Sequence, residues 1–210
     1  GAVMAAVDRF VFRFRGKGTH AAHPEAGVDP IPLTAAFVQS VQTVVARNLN
    51  PFSAGLVSVT HIEAGNTWNV IPEDALVEGT TRSMDAQERA QVRARVCALA
   101  EQLAAAYGAT VETDWYEGPP ATVNDAFWAA YAEEKAKECN LNVVPAPKSL
   151  GGEDFAFYQE KIPGMFVLVG TGLSPALHNP SFRVDPNALA PTAHYFAELV
   201  CGAFKESLIK

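Results

Sequence analysis

The chain has 210 residues, 49% hydrophobic and 19% charged, with a formal net charge of −7. That balance suits one or two globular domains and excludes a nucleic-acid surface, which needs clustered cations. No apolar run reaches the roughly 18 residues of a membrane span, and GAVMAAVDRF at the N-terminus lacks the basic start and apolar stretch of a signal peptide.

The first element is an alternating strand, Val7 to Arg15, with Phe10, Phe12 and Phe14 on one face and Arg9, Arg13 and Arg15 on the other. A glycine-punctuated turn, Gly16 to His20, follows. Asp29 as N-cap and Pro30 at the first position predict a helix to about Asn48, with Ile31, Ala35, Val38, Val41 (or Gln42) and Val45 as its core stripe. Two strands come next, about Ser53 to Glu63 and Ala75 to Ser83, joined by the polar connection Ala64 to Asn69. A second helix spans about Asp85 to Tyr107, its apolar stripe Val92, Val96, Leu99, Leu103 and Tyr107, and Gly108 ends it. The strand Ala109 to Tyr116 completes a βαββαβ order, the ferredoxin-like arrangement of a four-stranded antiparallel sheet with two helices on one face.

After Glu117-Gly118-Pro119-Pro120 the pattern changes. A helix from about Ala126 to Cys139 precedes a short strand around Val143-Val144, then the loop Ser149 to Phe155 and a strand from Met165 to Gly170. A loop with His178 and a last helix, about Asn187 to Leu208, end the chain. Strands this short and few read as one edge of a larger sheet, so residues 1–116 and 117–210 are taken as two domains.

Chemistry is sparse. Cys97, Cys139 and Cys201 stand far apart with no CxxC pair, which supports neither a zinc ribbon nor a disulfide framework and fits the cytoplasm. His20 and His23 lie in a loop after a strand, where binding groups often sit; a surface contact is the plainer reading. His61 reads as a sheet-face residue and His194 as an ordinary helix residue. His178 follows a glycine-rich strand end, a place suited to a metal ligand, but a catalytic zinc needs about three protein ligands. No HxxEH, HExxH, HxD, GxSxG or GxxxxGK[ST] pattern is present. Glu133-Glu134 reads as a solvated helix face, and Glu153-Asp154 as either a helix-terminus charge or a site pair. Composition and spacing stop at a two-part α/β protein with an incomplete site.

Five ordered segments go further: GKGTHAAHPEAGVDP (Gly16–Pro30), GNTWNVIP (Gly65–Pro72), GTTRS (Gly79–Ser83), SLGGEDF (Ser149–Phe155) and LHNPSF (Leu177–Phe182). Together they resemble the motifs of the metal-dependent amidohydrolase and exopeptidase family, which includes aminoacylases, hippurate hydrolases, carboxypeptidase G-type enzymes and auxin-conjugate hydrolases. The hippurate hydrolase-like subfamily is the nearest in pattern, through VDPI and GGEDF. The resemblance implies a ferredoxin-like lid (dimerisation) domain followed by the C-terminal part of an α/β metallopeptidase catalytic domain.

It also implies roles. His20 would stabilise the tetrahedral oxyanion, usually in the partner subunit's site. Arg82 would pair with the substrate carboxylate, and Asn69 would bond the same end. Gly151 and Gly152 would let backbone approach the ligand. Glu153 would touch substrate or order its loop, and His178 would be a metal ligand. The implied cofactor is a divalent metal pair (zinc, manganese, cobalt or nickel), and the implied partners are a small N-acyl amino acid and a second copy joined through the lid. The family's other ligands and its glutamate base belong to an N-terminal catalytic half that would precede Gly1. Weak or no metal binding, and no activity, are therefore expected of this chain alone. A non-catalytic dimerisation or binding module derived from the family is the alternative.

Overall fold

The computed structural model describes residues 1–172, 174–206 and 208. In chain order it forms β1 (Ala2–Met4), β2 (Ala6–Arg15), β3 (Thr19–His20), α1 (Pro30–Asn48), β4 (Gly55–Ala64), β5 (Val70–Ile71) and β6 (Asp74–Ser83). Then come α2 (Ala86–Ala106), β7 (Thr110–Glu117), β8 (Thr122–Val123), α3 (Ala126–Glu138), α4 (Ala156–Gln159) and α5 (Leu189–Lys205). The architecture is mixed α/β, in two compact units. One is Ala2–Thr122 with Lys148–Phe157; the other is Gly1, Val123–Pro147 and Tyr158–Lys210.

In the first unit an antiparallel sheet runs β4-β6-β2-β7. Alternation along β2 sends Phe10, Phe12 and Phe14 to the helix-covered face, where all three are fully buried. Phe37 of α1 stands edge-on to all three, with ring centroids 6.5, 5.3 and 5.7 Å away. Gly79 of β6 makes room for them, since a Cβ there would lie 2.1 Å from Phe10 Cζ. Asp29 caps α1 by accepting from Ile31 N–H at 2.9 Å, and Asp85 caps α2 by accepting from Gln87 and Glu88 N–H.

The helices bury stripes that overlap those the sequence predicts: Val41, Val92 and Val96 are buried, and Val45, Leu99 and Leu103 pack, partly buried, against the same core. On α1 the core face is Leu33, Phe37, Val41 and Val44, while Ile31 is 46% exposed. The bulky, fully buried Phe37 takes the centre, over the three phenylalanines. On α2 the buried line is Val92, Val96, Ala100 and Ala104; Tyr107 lies outside it. Asp8 shares the phenylalanine face at 2% exposure and is held by Arg89 of α2. The opposite face is charged: Arg9 pairs with Glu78, Arg15 with Asp74 and Glu112, and His61 Nδ1 lies 2.9 Å from Glu78.

In the second unit α3 packs on α5 through Tyr131, Ala132, Ala136, Tyr195, Leu199 and Ala203. The Tyr195 hydroxyl donates to the Ala132 carbonyl at 3.1 Å, and Lys135 bridges Glu138 and Glu206. The strands expected at Val143-Val144 and Met165 to Gly170 are not formed. Among the described residues neither run is part of a strand ladder. Phe166 instead has its N–H and carbonyl bonded by the Asn124 side-chain amide, both at 2.8 Å. The last helix starts at Leu189, after a short 3-10 turn at Pro186–Ala188.

Candidate functional site

All the candidate residues except His178 lie in two places on the first unit. A two-stranded ribbon, β3 with β5, pairs His20 with Val70. Beside it the Ala21 N–H donates to the Asn69 carbonyl at 3.0 Å, so the ribbon brings His20 and Asn69 together. Gly18 lies where the ribbon meets the Ile71 carbonyl, 3.1 Å from where a Cβ would be. Thr67 donates its hydroxyl to the Asn69 side-chain oxygen at 3.2 Å.

His20 is exposed, and its Nδ1 accepts the Ala22 N–H at 3.0 Å. An accepting Nδ1 carries no proton, so the neutral ring has its proton on Nε2 and presents that nitrogen as a donor. The His23 ring stands 6.0 Å away, centroid to centroid. A cavity of about 590 Å³ opens beneath the ribbon, lined by Arg13, Glu63, Glu73 and Asp74 among others.

The second place surrounds Val7. Arg82 of β6 is its Cα partner in the sheet. The guanidinium is turned along its own strand, donating to the Thr80 hydroxyl and, at 2.9 Å, to the Thr81 carbonyl. Partial burial pushes Arg82 below its ordinary pKa, with the Asp8 charge acting the other way. The loop bearing Gly151 and Gly152 is fastened to β1 and β2, for Ala5 N–H reaches the carbonyls of Ser149 (3.1 Å) and Gly151 (3.0 Å). A Cβ on Gly152 would lie 2.3 Å from Val7 Cγ2, so here the close approach is to the chain's own strand. Glu153 Oε1 accepts the Phe155 N–H at 3.2 Å.

These two places are far apart. Val7 and Arg15 lie near opposite ends of β2, roughly 26 Å apart at about 3.3 Å per residue. Arg82 pairs at the Val7 end, and the ribbon rises beyond Arg15. Val7, the shared neighbour of Arg82 and Gly152, is not among the candidates read from sequence; only the strand pairing reveals it.

His178 lies in the second unit, exposed, with φ of +66°. A non-glycine residue rarely adopts this left-handed region, and such strain concentrates at functional positions. Its loop is internally bonded: Asn179 N–H to the Ala176 carbonyl (3.1 Å) and Ser181 N–H to the Asn179 side chain (2.8 Å). Among the described residues no three His, Cys, Asp or Glu side chains converge as a metal site. No helix among them is long and apolar enough to cross a membrane.

A model of peptidase family M20/M25/M40 matches residues 7–201. The chain is 42% identical over 199 residues to an N-acetylcysteine deacetylase of Bacillus subtilis (strain 168), covering 95% of this chain and 52% of that protein. It is 29% identical over 191 residues to an N-acetyldiaminopimelate deacetylase of Pediococcus pentosaceus, covering 90% and 50%. Among solved structures, a dinuclear metal-binding peptidase of the M20 family from Bacillus subtilis matches with a TM-score of 0.80 at 38% identity, over 95% of this chain and 50% of that one. The chain thus spans about half the length of the curated relatives it matches.

Proposed function

Because this chain belongs to peptidase family M20/M25/M40, we propose that it serves a metal-dependent amidohydrolase cleaving the amide bond of N-acyl amino acids. Residues 1–116 act as a ferredoxin-like lid and dimerisation domain, and residues 117–210 as part of the catalytic domain. The deacetylases among its relatives support this substrate class. A cytoplasmic location goes with it, supported by the free thiols of Cys97, Cys139 and Cys201.

The observation that carries the reading is the ribbon, which brings the backbones of His20 and Asn69 together and leaves His20 Nε2 as the donor nitrogen of the ring. His20 donates to the oxyanion that develops on the scissile carbonyl, and Asn69 bonds the carboxylate end of the substrate. Arg82 leaves its own strand's oxygens to clasp that carboxylate, a two-pronged task suited to a guanidinium. Gly151 and Gly152 bring their loop close to the bound substrate beside Arg82, and Glu153 keeps it ordered. A small N-acyl amino acid cannot touch both ends of β2 at once. That separation supports a homodimer in which the ribbon of one copy completes the Arg82 side of the other.

The relative described as dinuclear supports a divalent metal pair (zinc, manganese, cobalt or nickel), with His178 as one ligand. The described residues do not fit such a pair by themselves, for they offer no converging set of three donors. When bound, such a pair supplies an activated water; the residues of this chain bind, orient and stabilise. The test is release of the amino acid from N-acetyl amino acids by this chain together with the catalytic half that would supply the remaining ligands, metal-loaded, with loss on chelation and recovery on metal return. Metal-loaded protein that hydrolyses no N-acyl amino acid would sink the reading.

A further inference from the structure

Trp68 is 93% exposed, although an indole is among the side chains that gain most from burial. Folding gives this ring nothing, so its place needs another reason. Phe52 is as bare, at 98%, but sits in the turn after Asn50, remote in sequence from every candidate residue. Trp68 directly precedes Asn69, whose carbonyl is bonded by Ala21 N–H and whose side chain is bonded by Thr67. The backbone following the indole is therefore tied, and its two neighbours are bonded to each other through their side chains while the ring is exposed, an arrangement that costs little entropy when something settles on it. Val70, 45% exposed and paired with His20, adds a second apolar group at the same end. An apolar rim thus adjoins the imidazole and amide that meet the polar atoms of the substrate.

We infer that Trp68 is a specificity-determining residue whose indole receives an apolar substituent of the N-acyl amino acid. The inference rests on the amidohydrolase reading above. Two parts of such a substrate are apolar, the acyl chain and the amino-acid side chain, and both offer the same surface to an indole. Because the ring is almost wholly exposed, Trp68→Ala leaves the fold intact.

The test compares kcat/KM of the intact, metal-loaded protein and its Trp68→Ala variant on two substrate series. One is N-acetyl-, N-hexanoyl- and N-benzoylalanine; the other is N-acetylglycine, N-acetylleucine and N-acetylphenylalanine. The variant should lose roughly tenfold or more of the preference for larger over smaller substituents in one series. Loss in the first identifies the acyl group, and loss in the second the side chain. An equal fall on every substrate, or a changed oligomeric state with preferences kept, overturns the inference. If the wild type hydrolyses none of them, the amidohydrolase reading fails, and Trp68 is then decided by fluorescence. The emission lost in Trp68→Phe should shift to the blue with N-benzoylalanine, and an unmoved emission overturns the contact.

Discussion

The Nδ1 atom of His20 accepts a hydrogen bond from the backbone N–H of Ala22, at 3.0 Å. This bond selects the tautomer, and with it the nitrogen that can donate to a substrate. Two-bond 1H–15N spectra at about pH 8, above the ordinary imidazole range, should show His20 protonated on Nε2. An Nδ1-protonated ring would remove the donor on which its proposed role depends. His20→Ala should lower kcat about 10²–10³-fold, the usual loss for one oxyanion donor. The melting temperature should stay where it was, since the side chain is exposed.

Asp8 and Arg89 form the ion pair that ties α2 to the start of β2. Arg89 Nε lies 3.1 and 3.2 Å from the two Asp8 oxygens, and Nη2 also donates to the Gly118 carbonyl at 2.8 Å. The Asp8 side chain is 1% exposed and that of Arg89 18%. Removing the guanidinium strands a carboxylate in the core, so Arg89→Ala should cost about 3–5 kcal/mol. Adding Asp8→Ala should cost less than the sum of the single losses. Denaturant unfolding of the four proteins measures the coupling; strict additivity would refute it.

Gly152 and Val7 make a second coupled pair. A methyl on Gly152 collides with Val7 Cγ2, so Gly152→Ala should destabilise by about 1–3 kcal/mol. Val7→Ala in the same protein should restore most of that loss by removing the obstructing methyls. If the double variant is no better than Gly152→Ala, strain elsewhere in the loop is responsible.

Glu78 gives the open sheet face a pH signature. Hydrogen bonds from Arg9 first, and His61 second, hold its carboxyl below the ordinary carboxylate value. A group whose folded pKa is depressed contributes stability above its unfolded value, about 4.3, and loses it as pH falls through the folded value. Glu78→Gln should therefore be less stable than wild type at neutral pH, and the gap should close in acid. A gap constant from neutrality into strong acid would exclude this linkage.

Much of the first unit was legible because β2 states its own geometry: phenylalanines alternate with arginines, and the structure sorts them to opposite faces. The same alternation puts Asp8 on the core side, a signal open to reading once Arg89 is found at the start of α2. The stripe of α1 is legible only in part, at Val41 and Val45, because several apolar lines run along that helix and the surface it meets decides which is buried. Phe37 against Phe10, Phe12 and Phe14 is a tertiary choice. Apolar runs at Val143-Val144 and Met165 to Gly170 carry strand propensity but join no strand ladder among the described residues, and propensity alone does not make one. His20, Asn69, Arg82 and the Gly151-Gly152 pair stand out in the sequence as motifs. Their division between the two ends of β2 follows only from the order in which the strands pair.

The left-handed backbone at His178 alters how that residue should be dissected. Alanine is the usual neutral truncation, but at φ of +66° its Cβ carries a conformational penalty of roughly 1 kcal/mol that glycine escapes. His178→Gly would delete the imidazole while relaxing the chain, whereas His178→Ala deletes it and keeps the strain. Asparagine, at ease in this region, keeps a polar side chain there. The three replacements together separate what the imidazole does from what the bend costs.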